Sequence, residues 1–351
     1  MVTFERSLRG WRPVVGQPSL ALSRATLAAL AAGFAAAGTV GFHLSLRAQM
    51  LVYLVGMVAL NLPHGGYEHF ENLRRRRPTF RLEYVGAYLA GIAGFVALYL
   101  TAPVLGLLLA VGVAMAKGGI GGLHVLDATS GTGHLRTRAQ RWLAVAVRGG
   151  AVMVVPSVAW PDTFWAFSSL MVGLVDPGGL APYADAFVAS RPFVAGAYGL
   201  ALAAHVGLGY VRGGGRSWLV DAGESVLLAA FFATVPVLVA VGLYFPFWYS
   251  ARQVARTATV DDPVGEDRFD LVGGDDATAV ALRSWGVLVA GAVATAAVLA
   301  VVYYAFPNPL TGGSLLSSAV AFWSIFISIV ALPHVVVGSL LDRERGIWYV
   351  P

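Results

Sequence analysis

The sequence of 351 residues contains no cysteine, a single lysine and few charged residues of any kind. The absence of cysteine excludes disulfides, thiolate metal sites and a cysteine nucleophile. Charged residues make up 12% of the chain, and a soluble protein is expected to carry about twice that fraction. Seven histidines and the carboxylates are therefore the groups that remain for chemistry.

In place of charge the chain has long apolar runs. Hydrophobic residues make up 57% of it, and its mean hydropathy is +0.70. Several runs reach the roughly 17 to 25 residues that a helix needs to cross a bilayer. We therefore predict an all-α, polytopic bundle of transmembrane helices in the cell membrane, with residues 1–351 as a single membrane domain. The net charge of +5 rests almost wholly on arginine, which in such a protein anchors loops and does not indicate a nucleic-acid surface.

Ten candidate spans can be drawn, and we expect eight to ten. They cover residues 25–46, 49–71, 82–101, 104–126, 141–160, 163–176, 192–211, 219–250, 281–305 and 314–340. A basic segment, 1–24, precedes them, and an acidic hydrophilic loop, 257–280, follows the eighth. With the N-terminus in the cytoplasm, 20 arginines fall inside and three outside, namely Arg47, Arg212 and Arg216. This bias supports the topology, although a re-entrant sixth span would invert every later one.

The most informative stretch is Asn61-Leu-Pro-His-Gly-Gly-Tyr-Glu-His-Phe70, where an apolar run meets the block Arg74–Arg77. His64 and Glu68 are four residues apart, so on a helix they share one face. They could hold one metal ion or form one proton relay. Alternatively, the pair marks the water interface.

Four predicted spans run towards the cytoplasm, and their inner ends carry potential ligand side chains at one depth. These are His64, Glu68 and His69, then His124 and Asp127, then Tyr249 and Gln253, and finally His334. Because histidine is costly inside a bilayer and usually faces the bundle interior, this layer favours a shared metal or polar site. Asp127 lies one turn from His124 and can fix its imidazole tautomer; alternatively, it caps the turn that follows.

The remaining polar residues in or near the spans have less specific readings. His43 and His134 lie near loop ends and are predicted to face solvent or headgroups. His205 either lines the cavity or forms a hydrogen bond between helices. Lys117 is two helical turns, about 10 Å, deeper than His124 on the same face. It can form a Schiff base with retinal, or it snorkels or pairs with a carboxylate.

Four segments together resemble those of the Brp/Blh family of integral-membrane beta-carotene 15,15'-dioxygenases, which accompany microbial rhodopsins. The resemblance covers about residues 49–349. The segments are Leu62-Pro-His-Gly-Gly-Tyr-Glu-His69, Gly122-Leu-His-Val-Leu-Asp127, Arg148-Gly149 with Val155-Pro156, and Leu332-Pro-His-Val335. A fifth, Tyr244-Phe-Pro-Phe-Trp-Tyr-Ser-Ala-Arg-Gln253, is similar to the family's Tyr-Phe-x-x-Trp-His-Ser segment and the histidine that follows it, with Tyr249 and Gln253 at the two histidine positions.

The resemblance implies a non-haem Fe(II) held by four histidines, with dioxygen cleaving the central double bond of beta-carotene to give retinal for a microbial rhodopsin. His64 and His124 carry over as iron ligands. Tyr249 and Gln253 stand at the other two positions, and Glu68 or His334 could substitute for them. A homologue without catalysis that binds or delivers a carotenoid or retinal is the alternative. A retinylidene protein formed through Lys117 is the third reading.

Overall fold

The computed structural model describes residues 2–60, 78–252, 277–310 and 313–341. All of the regular secondary structure in these ranges is helical, and turns and short loops connect the helices. We number the α-helices in chain order. They are α1 Val2–Thr39, α2 Leu46–Leu54, α3 Pro78–Thr101, α4 Pro103–Thr129, α5 Arg138–Ala159, α6 Pro161–Gly173, α7 Ala184–Arg212, α8 Gly215–Thr234, α9 Val237–Tyr244, α10 Ala277–Ala305 and α11 Leu315–Leu341. Two π-helical turns, Val55–Leu60 and Phe245–Ser250, continue α2 and α9. The acidic loop predicted at 257–280 falls almost wholly outside the described residues.

Seven of the described helices are long and apolar enough, by length and composition, to cross a membrane. They are Pro18–Thr39, Leu82–Thr101, Pro103–Thr129, Arg138–Ala159, Ala181–Arg212, Gly215–Thr234 and Leu315–Pro333. Shorter apolar helices cover Leu46–Leu60, Val237–Ser250 and Ala296–Ala305. The prediction of an all-α polytopic bundle is confirmed. The first helix begins earlier than predicted, because it already includes the basic segment 2–24.

The single span predicted over 219–250 is wrong, because two helices occupy these residues. Helix α8 ends at Thr234, Val235 is extended, and α9 starts after Pro236. Arg252 Nη1 lies 2.6 Å from Glu224 Oε1, whereas one continuous helix would separate the two residues by about 42 Å. The chain therefore reverses at Pro236, and α8 and α9 run antiparallel.

The sixth predicted span, which α6 occupies, is also unlike a crossing helix. The helices on either side of it, α5 and α7, are antiparallel: Arg191 at the start of α7 donates to Val158 O at 3.3 Å, and Arg212 at its end donates to Gln140 Oε1 at 3.4 Å. The chain thus leaves α5 and enters α7 on the same side.

The loss of α6 as a crossing removes one span, and the break at Pro236 adds one. The helices after α9 therefore keep the orientation that the sequence predicted for them. Arg212 and Arg216 move to the side of Arg138, and Arg191 moves to the other side. If the N-terminus lies in the cytoplasm as predicted, the revised assignment places 21 of the 23 arginines of the sequence inside, a stronger positive-inside bias than the original one.

Glycines let two pairs of helices approach closely, as is typical of helix packing in lipid. A Cβ at Gly119 of α4 would collide with the carbonyl oxygen of Val145, and one at Gly149 of α5 with that of Met115. Likewise, a Cβ at Gly56 would collide with the backbone of Gly242. The last contact joins the π-helical turn that continues α2 to α9. The helices α2 and α9 run parallel, so their two π-helical turns lie side by side.

The revised topology predicts cysteine accessibility, and the absence of native cysteine removes any background. Arg138, Tyr183 and Arg216 are exposed, so each can be replaced singly by cysteine. We expect an impermeant maleimide to label Tyr183→Cys in intact cells, and Arg138→Cys and Arg216→Cys only after permeabilisation. Labelling of Arg216→Cys but not Tyr183→Cys in intact cells would instead restore the ten-span topology.

Candidate functional site

The start of the apolar part of α1, Pro18–Thr39, meets the ends of α4 and α9 at one place in the bundle. Ser19 Oγ on α1 donates to the carbonyl oxygen of Ala251, just after the second π-helical turn, at 2.6 Å. On the same side, Leu20 packs against Val125 near the end of α4. His124 and Tyr249, which the sequence predicted to lie at one depth, are therefore carried by helix ends that pack together.

Both motif segments follow or contain a π-helical turn. Tyr249 lies within Phe245–Ser250, and His64 comes four residues after the turn Val55–Leu60. Pro246 accounts for the second turn, since it has no N–H to donate to the preceding turn of helix. Short π-helical segments occur often at functional sites. The proline is a sequence signal that could have indicated this irregularity in advance.

Tyr249 is buried, with 5% of its surface exposed, and Lys117 Nζ lies 5.0 Å from its ring centroid. This is a cation–π geometry, which suits a charged ammonium. The contact places Lys117 directly beside Tyr249, at one of the two altered family positions.

Asp127 lies in the last turn of α4 and uses its carboxylate oxygens on two other groups. Arg141 donates to both of them, at 2.9 Å to Oδ1 and 2.5 Å to Oδ2, and Thr132 donates a short hydrogen bond to Oδ1. These bonds join the turn after α4 to the start of α5. They match the capping alternative for Asp127 more closely than a role in orienting His124.

Several predicted site residues cannot be placed. His64, Glu68, His69 and Gln253 lie outside the described residues, and His334 is described only as part of the backbone of α11. Among the side chains that the structure describes, no group of three or more histidines or carboxylates is spaced to hold a metal ion. Of the four ligand positions that the resemblance implies, the structure therefore describes two, His124 and Tyr249.

The structure adds an ion cluster that the sequence analysis missed, centred on Glu224 of α8. Glu224 is 2% exposed and accepts hydrogen bonds from three arginines. Arg252 donates to both of its oxygens, at 2.6 and 2.8 Å, Arg24 donates to Oε1 at 2.7 and 2.9 Å, and Arg148 donates to Oε2 at 3.0 Å. One carboxylate thereby joins α1, α5, α8 and the segment after α9.

Asp221, one turn earlier on α8, extends this cluster and is fully buried. Its Oδ1 accepts from Arg148 Nη2 at 2.6 Å, and its Oδ2 lies 2.8 Å from His134 Nε2 and 3.3 Å from His205 Nε2. His134 was predicted to be solvated, which is wrong: only 2% of it is exposed, because Asp221 and Ser217 hold its ring between helices. His205 makes its contact between α7 and α8.

A cavity with room for about one water molecule lies beside this cluster. Gly121, Gly122 and Val125 of α4 form one wall. Tyr244, Trp248 and Arg252 form the other, together with Tyr249. The cavity therefore lies between the α4 turn that precedes His124 and the π-helical turn that carries Tyr249.

Comparison with known proteins places the chain in a family. A family model described as beta-carotene 15,15'-dioxygenase matches residues 55–342. The chain belongs to this family. It is 56% identical, over 342 residues, to the "Probable beta-carotene 15,15'-dioxygenase Brp" of two strains of Halobacterium salinarum, covering 96% of this chain and 95% of theirs. It is 33% identical over 358 residues to the "Probable beta-carotene 15,15'-dioxygenase Blh" of that organism, covering 96% and 99%. No solved structure matches the chain.

The ion cluster yields a prediction about stability in this family member. Glu224→Gln removes the charge that three arginines share, so we expect the free energy of unfolding to fall by about 3–5 kcal/mol. Thermal unfolding in detergent, followed by tryptophan fluorescence, measures the change. Asp127→Asn is the matched control, because its pair with Arg141 is partly exposed and should contribute about 1 kcal/mol or less. Equal effects of the two substitutions would show that the Glu224 cluster is not a main source of stability.

Proposed function

We propose that this chain is an integral-membrane oxygenase that cleaves beta-carotene, or a similar polyene, at its central double bond with dioxygen to give two molecules of retinal. The observation that carries the proposal is the 56% identity over 96% of the chain to proteins named probable beta-carotene 15,15'-dioxygenase. The retinal product would serve a microbial rhodopsin. The cell membrane is the proposed location, since the substrate dissolves in lipid.

Iron(II) is the metal that the resemblance implies, and the donor chemistry of the chain fits a mixed site. We propose His64 and His124 as nitrogen ligands and Tyr249 and Gln253 as oxygen ligands, with Glu68 or His334 as substitutes. Imidazole, phenolate and amide oxygens are all accepted by non-haem iron. In support, His124 and Tyr249 lie on helix ends that pack together, and Tyr249 is buried. When bound, the iron would activate dioxygen.

The protein's own residues would position the substrate and exclude water. A cluster of buried aromatic residues links α2, α3 and α11 and includes Tyr53, Phe95, Tyr99, Trp323 and Phe326. A polyene binds mainly through apolar contact area, and it would lie against this aromatic-rich part of the bundle. The bidentate pair of Arg252 with Glu224 would hold the end of the π-helical turn that carries Tyr249.

A second function is favoured by one specific feature, the replacement of two family histidines by Tyr249 and Gln253. A homologue that lost metal affinity but kept its apolar lining would bind a carotenoid or retinal, or deliver it to a partner. Such a carrier would be purified with intact pigment and without iron.

The enzyme proposal predicts which histidines matter. In cells that produce beta-carotene, we expect His64→Ala and His124→Ala each to lower retinal formation by at least about 100-fold. Replacing a residue that only hydrogen-bonds to a metal ligand typically lowers activity about 10- to 100-fold, and loss of the ligand itself should cost more. Retinal is quantified by chromatography, and iron is measured on the purified protein. His43→Ala, an exposed histidine, is the matched control. Unchanged retinal in both ligand variants would refute the iron-site assignment, and intact pigment without iron would support the carrier.

The altered ligand positions can be tested by restoring imidazoles. Since imidazole binds iron more strongly than a neutral phenol or an amide, we expect the Tyr249→His, Gln253→His double variant to retain more iron than the natural chain after dialysis against a chelator. Tyr249→Phe serves as the control, because it keeps the ring and removes the oxygen. No gain in the double variant would mean that positions 249 and 253 do not face the metal.

A further inference from the structure

The sequence contains one lysine, and the fold places it inside a spanning helix. Lys117 is partly buried near the middle of α4, about 18 Å by helical rise from the end of that helix at Thr129. A four-carbon side chain does not span this distance, so the ammonium does not reach the water at the helix end by snorkelling. An ionisable residue at such a depth is costly and usually has a function.

The amino group of Lys117 lies beside residues of the proposed site. Its Nζ is 5.0 Å from the ring centroid of Tyr249, which is itself buried. On α4, Lys117, Gly121 and His124 follow one another at i, i+4 and i+7 and therefore share one face. Gly121 also forms a wall of the cavity beside Tyr249. The amine thus belongs to the face of α4 that carries one proposed iron ligand, and it contacts another.

Aromatic contacts connect this position to the apolar cluster against which a polyene would lie. The ring centroids of Phe245 and Tyr249 are 6.1 Å apart, and Phe245 packs against the cluster that contains Tyr53 and Phe326. A polyene that lies against this cluster and continues past Phe245 would bring its end to Lys117. The amine is therefore placed to meet the group that central cleavage creates, an aldehyde.

We propose that Lys117 forms a reversible imine with one of the two retinal molecules and so retains this aldehyde product in the protein. The proposal rests on the proposed function, because cleavage of the polyene supplies the aldehyde. The neutral form of the amine attacks the aldehyde carbon, a carbon–nitrogen bond forms, and the carbonyl oxygen leaves as water. The imine nitrogen then takes back the proton that the ammonium gave up.

The step balances without an oxidant or a reductant. An ammonium and an aldehyde give an iminium ion and water, and no atom changes its oxidation state except by exchange of oxygen for nitrogen on one carbon. The nitrogen is positively charged before and after the step, so its contact with the ring of Tyr249 suits both forms. Hydrolysis reverses the step and releases retinal.

The test adds retinal in the dark to the purified full-length chain in detergent, after treatment with a chelator, and then reduces the mixture with borohydride. We expect a saturable absorbance band at a longer wavelength than that of free retinal, which borohydride abolishes. Peptide mass spectrometry should then find one retinyl group on the peptide that contains Lys117 and distinguish it from an adduct at the N-terminus. Butanal, an aldehyde without the polyene chain, should need at least about a tenfold higher concentration for half-saturation.

Two variants test whether the adduct depends on this position. Lys117→Arg keeps the charge but cannot form an imine, so the band and the adduct should both disappear; Lys117→Met replaces it if that variant does not fold. The double variant Lys117→Arg, Gly112→Lys moves the amine along α4 to a position where a Cβ meets nothing within 4 Å. We expect at least about tenfold less adduct in it than in the natural chain.

The outcomes separate this proposal from the oxygenase, because added retinal makes the adduct independent of iron and of cleavage. Retinal formation in cells without an adduct at Lys117 of the purified chain would overturn the imine alone. The same band in Lys117→Arg, or equal half-saturation by butanal, would also overturn it. An adduct at Lys117 of a chain that forms no retinal from beta-carotene would support the imine site and count against the oxygenase.

Discussion

The carboxylate of Glu224, which accepts hydrogen bonds from Arg24, Arg148 and Arg252, is the interaction on which the inner end of this bundle depends. A guanidinium cannot lose its charge at this depth, so each arginine needs a counter-charge before its helix can pack. One residue supplies this for three segments of the chain. Because Arg252 follows Tyr249 by three residues, the same interaction also fixes the π-helical turn that carries Tyr249, one of the proposed ligands.

Close helix packing elsewhere depends on glycines, which have no side chain. In lipid, apolar surfaces gain little from meeting one another, so close backbone contact and interhelical polar contacts must supply the specificity. Gly119 and Gly149 provide the former between α4 and α5, where any Cβ would strike a carbonyl group. The glycine contacts set the distance between α4 and α5, and the ion cluster fixes the height of α5 relative to α1, α8 and the segment after α9. Together they determine which residues of α4 and of the π-helical turn Phe245–Ser250 face one another.

The fold class followed from the sequence because a bilayer admits few architectures, and hydropathy detects them directly. The reversal at Pro236 was missed because apolar residues flank it on both sides, and a hydropathy window averages across two residues. Asp221 and Glu224, at i and i+3 on an apolar helix, were a signal that could have indicated the ion cluster. Their partners could not be identified, since Arg24 and Glu224 are 200 residues apart and nothing local relates them. His134 was misread for the same reason, as its buried partner lies 87 residues away. The sequence placed His124 and Tyr249 on the same side from topology alone. The two wrong spans, the sixth and the one over 219–250, change the orientation only of α7 and α8, which carry neither residue.

The close contact between Gly56 and Gly242 aligns the two helices that precede the motif segments in the sequence. It holds α2 and α9 side by side and parallel, and each helix then continues into a π-helical turn. A π-helical turn contains an extra residue, which changes the face that later side chains present. His64 follows Gly56 by eight residues and Tyr249 follows Gly242 by seven, about two helical turns in each case. Gly56 lies within the first π-helical turn and Gly242 lies three residues before the second, so their contact brings the two irregular turns side by side. Bulk added at Gly56 would separate the two turns, one of which carries Tyr249, so the glycine contact belongs to the site as much as to the fold.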